Sequence, residues 1–475
     1  MGTGAPGRGQ PERSGRDFAP VPYPTQTERL AAHVVGLRYE AIPRPVVDKM
    51  KEHIVHHLGL ALRGLSTQEG RQAVRIAESF GHEGSATIIG RRSRTAPMEA
   101  AFANTTLMRS DFLDDVLFPA GVHAALVTLP PALAVAEERR RSGRELLTAL
   151  IAAYDVIGKL GNPAGMASAR APRRPTIPFG PFGGAAAVAR LLGLSEHRTA
   201  HALGYAAHSG MGLSEGDFVT HYYGLVARNG LMAALAADHG GQAALAVMEG
   251  RFGFWNTFFT AVPASLDDSL DTLGTDFEIM NATTKRYPGT GLNIVPIELT
   301  ARLVHDHALA AANTRSVTLF LPAEREHFVT GHMHPPFRSE AAARSSSVLA
   351  IATVLATGRL DPELVMDYTR PDLIELCDRI NVVLEKGHPI RYARVEIDTS
   401  DGRHLVAEGH DHAFDPTDWL DWLTVGGTDV LGSDVLAELV AAMDRLEDID
   451  NVADLTVLLR PRYRDPFPPR TDGPR

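Results

Sequence analysis

Three aspartates and a histidine stand close together in Arg109-Ser110-Asp111-Phe112-Leu113-Asp114-Asp115 and, a few residues on, His123. Carboxylates grouped this way, with an imidazole in reach, are the side chains that move protons once their surroundings have adjusted their pKa. An apolar, alanine-rich run from Pro97 to Met108 predicts a buried helix continuing to Asp115. It would carry Asp111, Asp114 and Asp115 on one face, since they fall at i, i+3 and i+4. Pro119 and Gly121 end the pattern, so the acids would lie near a helix C-terminus, where the macrodipole disfavours negative charge. A facing arginine or lysine, a bound cation or a raised carboxyl pKa would offset that cost. A solvated acidic helix end would avoid it.

Three further stretches could supply partners. Arg173-Arg174-Pro175-Thr176 runs through the Pro- and Gly-rich Ile177–Gly184 into an alanine-rich helix. Backbone amides at such a start, with arginines beside them, suit a carboxylate or phosphate. A tight helix–helix approach would use the same residues. Thr220-His221-Tyr222-Tyr223-Gly224 opens another long helix, where His221 and Tyr222 would meet a substrate or sit at a packing boundary. Thr284-Lys285-Arg286-Tyr287-Pro288-Gly289-Thr290-Gly291 places a basic pair on a turn, suited to closing over an anion from across a cleft or simply exposed. His305/His307, His332/His334 and His410/His412 are paired at i, i+2, which shares a side on a strand but not on a helix. No HExxH motif or third ligand accompanies them, so no metal site is expected. No Walker loop occurs, and the glycines do not follow a strand as a dinucleotide fingerprint requires.

These residues need a scaffold, and 475 residues with 44% apolar and 22% charged side chains suffice for two or three globular domains. A net charge of −10 argues against a nucleic-acid surface, though not against a local basic pocket. No 18-residue apolar run exists to span a membrane. Residues 1–24 have the Gly, Pro and Arg content of a disordered leader rather than a secretion signal, and Cys377, the single cysteine, fits a reducing cytoplasm.

From 25 to 265 the pattern is helix after helix: Pro43–Leu65, Thr67–Gly81, Pro97–Asp115, His123–Arg141, Ser142–Leu160, Gly183–Leu194, Ser195–Gly210 and Gly224–His239. Pro130-Pro131 should interrupt the fourth. Ser142 begins a capping box, Ser195 is a candidate N-cap and Gly193 a helix stop. Only Ser85–Gly90 looks like a strand. From 266 to 412 the composition turns α+β, with strands at Arg315–Pro322, Ile390–Thr399 and His404–Glu408 and helices at Ser339–Thr357 and Pro371–Leu384. Helical periodicity returns over 413–460, chiefly Ser433–Arg460, which would pack back on the first domain, and 461–475 reads as a loose tail.

In order and spacing these stretches resemble the MmgE/PrpD family. The likeness covers roughly 26–460. It rests on Asp111-Phe112 with His123, on Pro175-Thr176 before Phe179-Gly180-Pro181-Phe182-Gly183, on Gly224 with Arg228 and Gly230, on Lys285-Arg286-Tyr287-Pro288 and on Arg344-Ser345-Ser346. The resemblance implies a mainly α fold: a large all-helical domain formed from both chain ends, an inserted smaller α+β lid and a homodimer. It implies cofactor-independent chemistry on a small polycarboxylate, namely dehydration, decarboxylation or epimerisation. Asp111 and His123 match its acid–base positions and Lys285 its lid lysine, with His221 a further candidate. Arg174, Thr176, Asp115, Tyr222, Tyr287 and Thr290 would contact substrate. Departures stand beside the matches. Arg174 replaces a histidine, Val219–Gly224 lacks the family's lysine, and Thr290 and Leu349 stand where the decarboxylases have a histidine and a tyrosine. They imply a substrate other than 2-methylcitrate or cis-aconitate, or a member that binds without catalysing.

Overall fold

The computed structural model describes residues 23–81, 83–165, 174–210, 220–327, 333–360, 364, 367–410 and 419–462. Most of the expected leader and tail, with Arg173, Val219, His332 and His412, lie outside them. The fold is mainly α with a smaller α+β part. Among the described residues nine helices lead: α1 (Gln26–Gly36), α2 (Arg44–Gly64), α3 (Gln68–Glu78), α4 (Pro97–Arg109), α5 (Ala124–Glu138), α6 (Gly143–Ala164), α7 (Thr176–Leu192), α8 (Glu196–His208) and α9 (His221–Asp238). Their ends are set by local chemistry. Thr25 with Glu28 and Ser142 with Glu145 form capping boxes, Thr67 and Ser195 accept from the first turns of α3 and α8, and Gly193 ends α7 at φ +74°. Gly184 and Gly230 let α7 and α9 touch backbone to backbone, since a Cβ on Gly230 would stand 2.9 Å from the Gly184 Cα.

One continuous core joins Leu30–Ala282 to Leu423–Leu459, so both ends of the chain share it. Its C-terminal share comes from α16 (Trp419–Leu431), α17 (Ser433–Asp444) and the short α18 (Val452–Thr456). Before these come α10 (Phe254–Phe258) and α11 (Leu266–Asp271). Leu266–Ala282, placed by composition with the inserted part, packs in this first core. A second core spans Val295–Leu405. It lies between a four-stranded sheet and the helices α12 (Ile294–Asp306), α13 (Glu340–Ser345), α14 (Ser347–Thr357) and α15 (Pro371–Cys377). The sheet runs β6 (Ile380–Glu385), β5 (Thr314–Pro322), β7 (Ala393–Thr399), β8 (His404–Gly409), antiparallel except for the parallel β5–β6 pair.

Several expectations are corrected. α4 stops at Arg109, so the three aspartates do not share a helical face; Asp115 instead opens β3 (Asp115–Leu117), which pairs with β4 (Ala282–Thr284). Pro130 and Pro131 sit inside an unbroken α5, because the Leu126 carbonyl that Pro130 cannot serve accepts the Thr105 hydroxyl at 2.8 Å. α7 begins seven residues before Gly183. Pro371–Leu384 is helical only to Cys377; from Ile380 it is a strand, drawn off by pairing with β5. Ser85–Gly90 reduces to β1 (Ala86–Thr87), paired with β2 (Arg94–Thr95). Among the described residues no helix is long and apolar enough to cross a membrane, and no group of three potential ligands could hold a metal ion.

Candidate active site

After α4 the chain bends sharply at Phe112, whose φ of +58° is costly for a bulky L-residue. The bend is held from a distance: the Phe112 carbonyl accepts from Lys285 Nζ and from the Gly289 amide, each at 3.2 Å. The Arg109 guanidinium covers the ring at 4.0 Å. Beyond the bend, Asp115 stands opposite Thr284 in the β3–β4 ribbon, which brings Lys285 abreast of Asp114.

Asp114 is the hub. Its Oδ1 accepts from Arg109 Nη1 at 2.6 Å and from Lys285 Nζ at 2.9 Å, and its Oδ2 lies 2.7 Å from His123 Nδ1. That Nδ1 also lies 2.7 Å from the Asp115 carbonyl, and hydrogen-bond geometry is met only toward the carbonyl. The ring therefore carries its proton on Nδ1 and keeps the Nε2 lone pair, which has no hydrogen-bond partner among the described residues. The His123 amide donates to Thr176 Oγ1 at 2.9 Å, so the N-termini of α5 and α7, both favourable to negative charge, meet here. Tyr223 sets its ring 5.7 Å from His123 and 4.7 Å from the Arg109 guanidinium. Asp114 and Lys285 are sealed, at 0% and 1% side-chain exposure, whereas His123 keeps 14%; the cluster is approachable from the imidazole side.

Burial alone would raise the Asp114 carboxyl, but Arg109 and Lys285 outweigh it and hold it well below the usual carboxylate range. Burial lowers Lys285 to about 8, with Asp114 opposing and Arg109 adding to the fall. Burial also lowers His123, so the imidazole is neutral at pH 7 and able to accept a proton. Two cations on one carboxylate leave the trio of Arg109, Asp114 and Lys285 with a net charge of +1 below pH 8. Two cations beside an approachable imidazole suit an arriving anion.

A family model, the MmgE/PrpD N-terminal domain, matches residues 28–267. The chain belongs to the MmgE/PrpD family. It is 26% identical to the cis-aconitate decarboxylase of Homo sapiens over 93% of this chain and 95% of that one. To the enzyme of that name from Aspergillus terreus it is 23% identical over 90% and 95%. A cis-aconitate decarboxylase-like protein of Aspergillus oryzae is 28% identical over 56% of this chain and 58% of its own length.

Within this MmgE/PrpD chain His123 and Lys285 come together, but on Asp114 rather than on Asp111. Asp111 is held by Arg63 Nε at 3.1 Å and Arg344 Nη1 at 3.2 Å, so it ties the helical body to α13 and does not tune the imidazole. Asp115, expected to touch substrate, is fully buried with its carboxylate taken by Tyr154 and the Ala125 amide. Thr176 spends its oxygen on His123. Arg174 is half-buried two residues before Thr176, at the approach to α7. Tyr222 points outward and Tyr223 inward, because one helical step turns a side chain by about 100°. His221 is half-buried, its ring 6.1 Å from Phe102. Tyr287 packs on the second core beside Glu298, and Thr290 precedes the short turn Gly291–Asn293 without capping it. Sequence reasoning missed the roles of Asp114, Arg109, Tyr223 and Arg63. Helical rotation could have chosen Tyr223 over Tyr222; only the β3–β4 register identifies Asp114. A surface depression of about 270 Å³ beside α1, lined by His33, Arg38 and Gly274, includes none of these residues.

Proposed function

We propose that the chain is a lyase acting on a small di- or tricarboxylate, with His123 moving the proton through Nε2. The observation that carries this reading is a neutral imidazole, its Nδ1–H held by the Asp115 carbonyl, beside a buried carboxylate that Arg109 and Lys285 share. Nε2 would take a proton α to a carboxylate, and Asp114 Oδ2, 2.7 Å from Nδ1, would stabilise the imidazolium formed. Lys285 and Arg109 would stabilise the enolate-like charge left on the substrate, and the approach to α7 with Arg174 would hold its remote carboxylate. Loss of a β-hydroxyl from that intermediate gives dehydration; return of the proton on the other face gives epimerisation. In a decarboxylation Nε2 would first take a proton from solvent, and the imidazolium would then give it to the electron pair left by departing CO2. Relatives named cis-aconitate decarboxylases favour the last route.

The test is a panel of di- and tricarboxylates, including cis-aconitate, assayed for CO2 release and for deuterium uptake from solvent, with wild type and His123→Asn. Turnover lost in the variant supports the reading; equal turnover or exchange in the two removes His123 from the mechanism. A second reading, a carboxylate-binding protein without turnover, draws on Lys285 and Arg109 already being engaged by Asp114. It predicts saturable binding with no exchange. The partner proposed is a second copy of the chain, met on the outward face of α9, where Tyr222, Leu225 and Met232 are 36%, 45% and 47% exposed.

A further inference from the structure

Every polar group of Asp115 is engaged, and the pattern has a direction. Its amide donates to His57 Nε2 at 3.2 Å, and its carbonyl receives the His123 Nδ1–H at 2.7 Å. Its carboxylate receives the Tyr154 hydroxyl at 2.7 Å and the Ala125 amide at 3.2 Å from each oxygen. His57 Nδ1 in turn donates to the His53 carbonyl at 2.7 Å, which leaves its Nε2 as the acceptor that the Asp115 amide requires. Asp115, His57 and Tyr154 are all 1% exposed or less, so no water competes for these bonds.

Ala125 lies in the first turn of α5, whose N-cap is His123 itself, and the His123 side chain makes no capping bond. The Asp115 carboxylate satisfies the orphan amide instead. Asp115 thus grips His123 twice, at the ring through its carbonyl and at the helix start through its carboxylate. Asp115 is itself fixed by α6 through Tyr154 and by α2 through His57.

We propose that Tyr154 and His57 are positioning residues for the reaction: acting through Asp115, they hold His123 in the Nδ1–H tautomer with Nε2 turned to the substrate. The proposal rests on the reading of His123 as the group that moves the proton. Its physical content is the tautomer. An imidazole with the proton on Nε2 offers a donor where the chemistry needs a lone pair, and which nitrogen carries the proton follows from the bond the other nitrogen makes. A wrong tautomer has cost a factor of about 10⁴ in another enzyme class. Loosening an outer partner while its carbonyl remains nearby should cost less, about 10- to 100-fold.

The experiment uses the full chain labelled with ¹⁵N-histidine, the His123 resonances being assigned by their loss in His123→Asn. The tautomer is read in the resting protein at pH 7.5 for wild type, Tyr154→Phe, His57→Leu and His57→Gln. The glutamine amide oxygen can accept where Nε2 does; leucine cannot. Wild type and His57→Gln should show the proton on Nδ1, whereas Tyr154→Phe and His57→Leu should show a mixture. On any substrate the protein turns over, the last two should lose about 10- to 100-fold in kcat with KM within about threefold, and His57→Gln should recover most of the loss. A wild-type tautomer in folded Tyr154→Phe overturns the proposal, and that variant, which removes a single oxygen, keeps the test usable if His57→Leu fails to fold. The resting tautomer needs no turnover. A responsive tautomer in a protein inert toward every carboxylate would therefore strike the enzymatic reading alone, and an unresponsive one in an active enzyme would strike this inference alone.

Discussion

Asp114→Asn removes the carboxylate that Arg109 Nη1 and Lys285 Nζ share at 2.6 and 2.9 Å, while leaving an oxygen that can still accept. Both cations are 1% exposed in the folded chain. Taking one partner from a buried ion pair costs about 3–5 kcal/mol, because the other charge stays buried without compensation. Lys285 has a way to relieve part of this. Burial already holds it at about 8, and Asp114 is the chief influence keeping it that high. Without Asp114 it releases its proton near neutrality, so the loss at pH 7 should lie toward the lower end, about 3 kcal/mol. The sign of the pH dependence follows. Below 8 the wild type gains from a charged Lys285 that the variant cannot keep; above 8 both hold it neutral and the gain disappears. Each unit separating the two pKa values is worth about 1.4 kcal/mol, so the difference between wild type and variant should shrink by about 1 kcal/mol from pH 7 to pH 9. Urea unfolding at 25 °C, followed by far-ultraviolet circular dichroism at both pH values, reads this directly. A loss below about 1 kcal/mol at pH 7, or one that does not change with pH, would refute the ion cluster as the organising feature of the site.

Other expectations follow from the same geometry. The pH profile of kcat/KM should be bell-shaped: the acid limb, from protonation of His123, falls below the ordinary 6.5 because burial lowers that group, and the alkaline limb falls near 8 as Lys285 loses its charge. A flat alkaline side up to pH 10 would exclude Lys285. Burial lowers His53, and His56 to about 3, whereas unfolded histidines bind protons near 6.5. The stability these two contribute is present above 6.5 and lost as pH falls below it, for His56 down to about 3, by up to about 1.4 kcal/mol per pH unit for each. A urea midpoint constant between pH 7 and pH 5 would contradict this. Arg344→Ala cuts the Asp111 ion pair that joins α13 to the helical body, and should cost about 2–3 kcal/mol and speed limited proteolysis; an unchanged digestion pattern counts against that joint. Leu225→Glu with Met232→Glu should halve the mass seen by light scattering if α9 faces a second copy, and an unaltered mass would move the interface elsewhere.

How much could be read in advance varied by element for physical reasons. Helices carried their own signals: apolar spacing, the capping boxes and the Gly193 stop depend on residues within a turn or two, and the structure keeps them. The signal failed where a distant partner outbid the local pattern. The helix drawn to Asp115 ends at Arg109, because a bend at Phe112 is held by Lys285 and Gly289, far along the chain. Ile380–Leu384 continues a helical pattern on paper but finds an unpaired edge of β5. Pro130 should break α5, and a threonine on α4 repairs the gap.

The sequence by itself determined the helical framework, the chemical types available to the site and the placing of His123 and Lys285 on separate stretches that could meet. Which acid they meet was decided only in three dimensions: Asp114 takes the place expected of Asp111, and Asp115 supplies a carbonyl and a cap rather than a substrate contact. The reason is that a buried charge takes its energy, protonation and role from neighbours a few ångströms away, and here the deciding neighbour, Lys285, arrives through the register of a strand pair far from Asp114 in the chain.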